Sequence, residues 1–256
     1  MLAGRSDRSE LAYIATVVAR LARAVPGYAA QLAAAARFKQ FLCLLLRVDA
    51  ADAADRAVRA RGVRLCEALL CAGTGAGAGD GRCCSAAADA ALTRVTVLPL
   101  LLECMAVDAC LNAITDAISN ISDEDESDAA GGILDLSDAN YDYDDDAGED
   151  DDEWMAAAEP PSKAIVRPLR VLRLMLAANI APADAATAVS VTAMATAFVA
   201  ARGFWALELL LHWLARQAQQ PGQVLHELEQ LRALLEALPL TADLMAEAAA
   251  AAERKR

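Results

Sequence analysis

Few residues in this chain have types and spacing suited to chemistry. His212 stands beside Trp213, and His226 beside Glu227, both in stretches with helical spacing. They read as helix-surface or helix-packing residues rather than general bases. The chain holds no G-x-S-x-G, P-loop, H-E-x-x-H or G-x-G-x-x-G. The glycine-rich GTGAGAG at 73–79 follows a helical pattern rather than a strand and lacks the Lys-Ser/Thr of a phosphate cradle. Seven cysteines (Cys43, Cys66, Cys71, Cys83, Cys84, Cys104 and Cys110) lie in the first half, most on apolar helix faces. A zinc site would want paired C-x-x-C spacings, and neither the adjacent Cys83-Cys84 nor the distant histidines supply them. An odd count without a signal peptide points to reduced thiols. The expectation is a non-enzyme with no catalytic residue, no cofactor and no metal.

What stands out instead is a run of carboxylates, DANYDYDDDAGEDDDEW, at 138–154. Between Ser122 and Glu159 there are 17 acids and no base, which leaves 19 acids against 23 Lys and Arg elsewhere. The formal charge of −13 is therefore the charge of one segment, and the rest is mildly basic. Like-charge repulsion and low hydrophobicity leave such a segment nothing to offset its ordering entropy, so a disordered insert over 122–161 is expected. Three binding readings stand beside that. The insert docks on the basic face of Arg56, Arg59, Arg61 and Arg64; or it engages a basic protein partner, with Tyr141, Tyr143 and Trp154 as apolar anchors among Asp144, Asp145 and Asp146; or it holds Ca²⁺. The calcium reading fails on spacing, because the run lacks D-x-D-x-D-G and the terminal glutamate of an EF-hand loop. Free nucleic acid is a poor ligand for the insert, since phosphates and carboxylates repel. Ser122, followed by Asp-Glu-Asp-Glu, fits an acidophilic kinase, and phosphate there would lengthen the charge run.

The elements around the insert read as helices. Alanine is the strongest helix former, aromatic residues are scarce at 4%, and β-branched alternation is almost absent. Leu11, Ile14, Val18 and Leu21 give Ser9 to Ala24 an apolar face. Pro26-Gly27 ends that helix, and Tyr28 to Val48 follows as another. Asp52 or Asp55 caps the next, and a Gly/Ala loop spans 73–81. Further helices run to ISNIS, where the acidic segment begins. Beyond Pro160-Pro161, helices are expected near 162–180, 183–201, 203–219, 222–238 and 241–254. Short connections between them imply antiparallel neighbours. The organisation is an N-terminal helical block over 1–121, the insert over 122–161, and a C-terminal block over 162–256. One window, Ala185 to Ala201, runs without a charge. A helix buried by its neighbours is expected there, with a membrane segment as the alternative. Glu208, His212 and Arg216 form an i, i+4, i+8 polar stripe on the helix that follows.

Two stretches, FLCLLLRVDAADAADRAVRARGVRLCEALL and VLPLLLECMAVDACLNAITDAISNIS, each join a Leu-rich helix to a short acid-bearing break and a second helix. They resemble the second and third helices of armadillo and HEAT repeats. The resemblance implies an α-solenoid of stacked helical hairpins that acts as a protein-binding scaffold in the cytoplasm or nucleus. Asn120 falls where armadillo proteins place the asparagine that bonds a bound peptide; the alternative is a helix C-cap. The order of basic amphipathic helices, central apolar helix, variable loop and small-residue segment (TAVSVTAMATAFVAA) also resembles the peroxin-11 family. That resemblance implies association with a peroxisomal or other organelle membrane. Against it, an amphipathic pattern continues for about 35 residues past Pro221, and the family's glycine-rich terminal motif is missing.

Overall fold

Asp52 opens the helix around which the chain packs. Its carboxylate accepts a hydrogen bond from the Asp55 amide at 2.8 Å, satisfying one of the donors that a helix start leaves free. Arg8 clasps both acids, at 2.9 Å to Asp52 and 3.1 Å to Asp55. The Asp55 amide first, and then Arg8, hold the Asp52 carboxyl below its ordinary range.

The structure, a computed structural model, describes residues 5–25, 27–48, 52–72, 96–127, 161–180, 185–217 and 221–237. Among them, regular structure is entirely helical, as the composition implies. The helices are α1 (Arg5–Ala24), α2 (Tyr28–Ala34), α3 (Ala36–Leu46), α4 (Ala53–Cys71), α5 (Thr96–Glu103), α6 (Ala106–Ser127), α7 (Pro161–Ile180), α8 (Ala185–Ala200), α9 (Gly203–Arg216) and α10 (Gly222–Ala237). α1 packs on α4, α4 on α7, and α7 on α10; α6 packs on α9 in the same every-third-helix manner. α3 lies against α4, α6 touches both α4 and α7, and α8 rests on α6, α7 and α9. One hydrophobic cluster runs from Ala15 to Leu235, so the blocks on either side of the acidic segment share a core. The acidic run, the Gly/Ala loop, Cys83, Cys84 and the helix expected at 241–254 lie outside the described residues.

Three local expectations change. The helix expected over Tyr28 to Val48 is two helices, α2 and α3, meeting at 91°. Ala35 is extended there, and its N–H closes a turn onto Leu32 O at 3.0 Å. No Pro or Gly marks the break; burial of Phe38, Leu42, Leu45 and Leu46 sets the direction of α3 instead. α1 buries Ala15, Ala19 and Ala22, while Ile14 and Leu21, expected inside, face outward. Alanines let the α1 backbone approach α4 closely, and that contact outweighs burial of the larger side chains. α6 runs on through Ser127 instead of stopping before the acids.

The charge-free window forms α8 as expected, and Met194, Ala195 and Phe198 within it are buried. No single described helix is long and apolar enough to cross a membrane, although three bent helix pairs reach that length and composition together. On α9, Glu208, His212 and Arg216 are exposed, while Ala206, Leu207, Leu210, Trp213 and Leu214 are buried.

Two outcomes are expected. Residues 1–127 and 161–256, coexpressed as separate chains, should co-purify as one folded complex, because α4 and α6 bury their faces against α7. Fragments that fold and elute separately would show two independent cores. Gly203 sits where an added Cβ would lie 2.4 Å from the Phe198 ring. Gly203→Ala should therefore cost about 1–3 kcal/mol in denaturant unfolding, the usual range for overpacking.

Candidate interaction surface

With the alanines of α1 buried and Leu11 and Val18 packed beside them, several of its bulkier residues are left outside. Tyr13, Ile14, Val17, Leu21 and Val25 are 37% to 57% exposed. Four of them recur at i+4 (13, 17, 21, 25), so they line one side of the helix for about 18 Å. Single exposed hydrophobics are ordinary on any protein, but a continuous row of them is characteristic of a contact surface. On α9, Phe204, Trp205 and Leu211 are also exposed, beside the Glu208–His212–Arg216 stripe.

Beneath α1 lies a ladder of alternating charge. Glu67 on α4 and Glu227 on α10 are each only 5% exposed. Arg23 on α1 reaches Glu67 at 3.5 Å, and Arg167 and Arg170 on α7 reach it at 3.2 Å each. Arg170 also donates from Nε to Glu227 at 2.9 Å, and Arg173 does the same at 2.7 Å. Arg170 therefore bridges the two glutamates, and the ladder follows the stack α1, α4, α7, α10. A buried carboxylate is tolerable only when paired and hydrogen-bonded, and both glutamates are.

A cleft of about 400 Å³ opens between α6 and the end of α3 (Leu46, Arg47 and Val48), with Arg59 of α4 in its lining. Asp108, Asn112 and Asp116 line it at i+4 steps along α6, with Met105 at the α5–α6 break. Arg59 closes its floor by pairing with Asp116 at 2.9 Å. Among the described residues, no set of three or more His, Cys, Asp or Glu is placed to hold a metal ion. His212 and His226 are both exposed on their helices, and His226 Nε2 lies 2.8 Å from Gln230 Nε2.

Of the interaction residues singled out from sequence, the structure describes Arg56, Arg59, Arg61, Arg64, Asn120 and Ser122. Arg59, expected on a basic surface, is 5% exposed and committed to Asp116. It sits on the face of α4 that also carries Val58, Val63 and Cys66, and it enters the core with them. Arg56, Arg61 and Arg64 are half-buried, so the basic face is smaller than the sequence suggests. Asn120 is half-buried within α6, whose continuation to Ser127 removes the C-cap reading. Ser122 lies in the last turns of that helix. Tyr141, Tyr143, Asp144, Asp145, Asp146 and Trp154 lie outside the described residues. The α7 arginines went unmarked, although RPLRVLR places 167, 170 and 173 three apart on one side of a helix. Their partners stand 103 and 57 residues away from Arg170, and no local pattern announces such pairs.

Comparison with known proteins finds no family model, no curated protein and no solved structure that matches this chain.

Burial alone would raise the Glu227 carboxyl, but hydrogen bonds and charge from Arg173 and Arg170 outweigh it and hold the group below its ordinary 4.5. A lowered folded-state value means the unfolded chain takes up the proton more readily. The stabilisation is thus complete above pH 4.5 and is lost as pH falls through the lower folded value. Glu227→Gln should cost about 1–3 kcal/mol at neutral pH, since two arginines lose a charged partner. It should also flatten the loss of stability on acidification below pH 4.5. Urea titrations of both proteins across that range check this; parallel curves would mean the ladder contributes nothing.

Proposed function

We propose that this protein is a non-enzymatic helical scaffold that binds another protein through the outer face of α1. The observation that carries the reading is the row of Tyr13, Ile14, Val17, Leu21 and Val25 left outside while alanines take the inside. A helix that keeps Leu11 and Val18 on its core and still leaves Tyr13, Ile14, Val17 and Leu21 outside, with Val25 just past its end, is arranged for a second contact. The absence of catalytic sequence motifs supports the non-enzymatic part.

The finer architecture belongs to the same proposal. We read the helices as an α-solenoid of armadillo or HEAT type. What supports it is the stacking of every third helix, α1 on α4 on α7 on α10. A three-helix period is the spacing at which armadillo repeats stack. We place a disordered acidic insert between the two blocks, supported by the 13 acids without a base from Asp128 to Glu159, beyond the end of α6. In this reading the insert gives long-range attraction to a basic partner, and the α1 row gives the apolar contact. Phosphorylation at Ser122 would extend the charge run, and Tyr141, Tyr143 and Trp154 would anchor the partner among the carboxylates. Cytoplasm or nucleus is the compartment that fits.

A second reading, membrane association of peroxin-11 type, draws on the three bent helix pairs and on the same apolar row. One experiment separates the two. Ile14→Ser, Val17→Ser and Leu21→Ser together should leave the melting temperature nearly unchanged, because these side chains are exposed. They should abolish recovery of a saturable protein partner by crosslinking in cells. Replacing Asp144, Asp145, Asp146, Asp150, Asp151 and Asp152 with Asn should instead flatten the salt dependence of that partner's affinity. The Debye length shrinks from roughly 30 Å at 0.01 M to about 8 Å at 0.15 M, which sets the window. Equal partner recovery by the triple variant and the wild type would sink the scaffold reading. Flotation with anionic vesicles that the triple variant loses would favour the membrane.

A further inference from the structure

Cys43 on α3 and Cys104 at the α5–α6 break meet across 61 residues of chain. Their sulfurs are 3.3 Å apart, with the Cys43 thiol directed at the Cys104 sulfur. A bonded pair stands at about 2.05 Å, so closure asks for only about 1.3 Å of approach. The surroundings hold the two sulfurs in register. Lys39, one turn before Cys43, pairs with Glu103, the neighbour of Cys104, at 2.6 Å. The Cys104 thiol also lies 3.7 Å from the Lys39 carbonyl oxygen. Access is one-sided: Cys43 is partly exposed and Cys104 is fully buried. The described cysteines are all free thiols.

We propose that Cys43 and Cys104 form a reversible oxidation site, closed by thiol–disulfide exchange with a low-molecular-weight disulfide such as oxidised glutathione. The Cys43 thiol gives its proton to water and attacks one sulfur of the small disulfide. A mixed disulfide forms, and the first small thiolate leaves and is protonated. Cys104 then gives its proton to water and attacks the Cys43 sulfur, expelling the second small thiolate, which is protonated in turn. Two protein thiols are oxidised to one disulfide, and one small disulfide is reduced to two thiols. The structure favours this order because a solution disulfide reaches Cys43 and cannot reach Cys104. Burial first, then the hydrogen bond and charge of Cys43, push the Cys104 thiol up to about 12. Once Cys43 carries the small thiol, its hydrogen bond and charge no longer act on Cys104, which removes two of the causes that hold that thiol protonated. Cys66 and Cys110 are buried as well, and burial pushes both thiols up, so neither competes for the small disulfide. The product pins α3 to the α5–α6 break. Closing a loop of 61 residues restricts the unfolded chain, so the oxidised protein should be the more heat-stable form.

The test uses the full chain with Cys83→Ser and Cys84→Ser, exposed to oxidised glutathione, quenched with N-ethylmaleimide and digested for mass spectrometry. A linked peptide pair containing Cys43 and Cys104 is expected, together with a rise of several degrees in melting temperature that dithiothreitol reverses. Cys43→Ser and Cys104→Ser should each remove the link. If Cys104→Ser fails to fold, Cys43→Ser, at the partly exposed position, still decides the matter. A stable glutathione adduct on Cys43 that never resolves would overturn the proposal, as would linkage to any other cysteine. Complete resistance of both thiols, while a free dithiol in the same tube oxidises, would also overturn it.

Discussion

Buried charge needs a partner, and in this protein that requirement fixes which helices can sit beside which. Glu67 and Glu227 lie in the interior of the stack, and the arginines of α1 and α7 neutralise them. Alanine- and leucine-rich faces are interchangeable to a first approximation; a helix could slide by one turn and still bury similar area. A slide that strands Glu227 away from Arg170 and Arg173 would leave an unpaired carboxylate in a place with little water. Hydrophobic burial therefore supplies the drive to stack, and the ladder supplies the register. Arg170 matters most, because it holds α4 and α10 through one guanidinium.

The second constraint is volume. Helices built from so much alanine can approach closely, and where they do, even a methyl group is too large. Gly62 is such a place, with the Leu45 and Leu46 side chains 3.0 Å from where its Cβ would be. The Phe198 ring presses on Gly203 in the same way, just after Arg202 has turned the chain in the left-handed conformation. Close approach has a consequence at the surface. The residues that make room are small, so Tyr13, Ile14, Val17 and Leu21 of the same helix are left on its outer side. The α1 row is thus a product of how α1 packs on α4, and packing and the candidate contact surface are one feature.

Helix content, most helix boundaries and the polar stripe of α9 were legible in the sequence, because they depend on local propensity and on spacing within one element. Asp52 as a cap was legible for the same reason. The inward face of α1 was legible only in part. Leu11 and Val18 pack against the core as their spacing implies, but Ile14 and Leu21 face out while Ala15, Ala19 and Ala22 are buried, and nothing within α1 records the shape of α4. Arg59 was misread likewise: a basic residue in a basic helix looks exposed until Asp116, 57 positions later, arrives beside it. The break at Ala35 carries no Gly or Pro, so only the tertiary packing of α3 could have marked it. Contacts between distant residues, rather than weak local signals, account for each of these differences.

Those same contacts change how the charge of the chain should be counted. Outside the acidic segment the sequence holds four more bases than acids, which suggests a surface for the insert to rest on. The structure spends much of that basic charge internally. Arg8, Arg23, Arg59, Arg167, Arg170 and Arg173 all hold carboxylates from other helices. A guanidinium already paired with a carboxylate gains little from a second one, and reaching a half-buried group would cost the newcomer its hydration. Each pair cancels an acid as well as a base, so the excess of four bases stands, but Arg59 is withdrawn from the surface. A count of basic residues along α4 therefore overstates how much basic charge that helix presents at its surface.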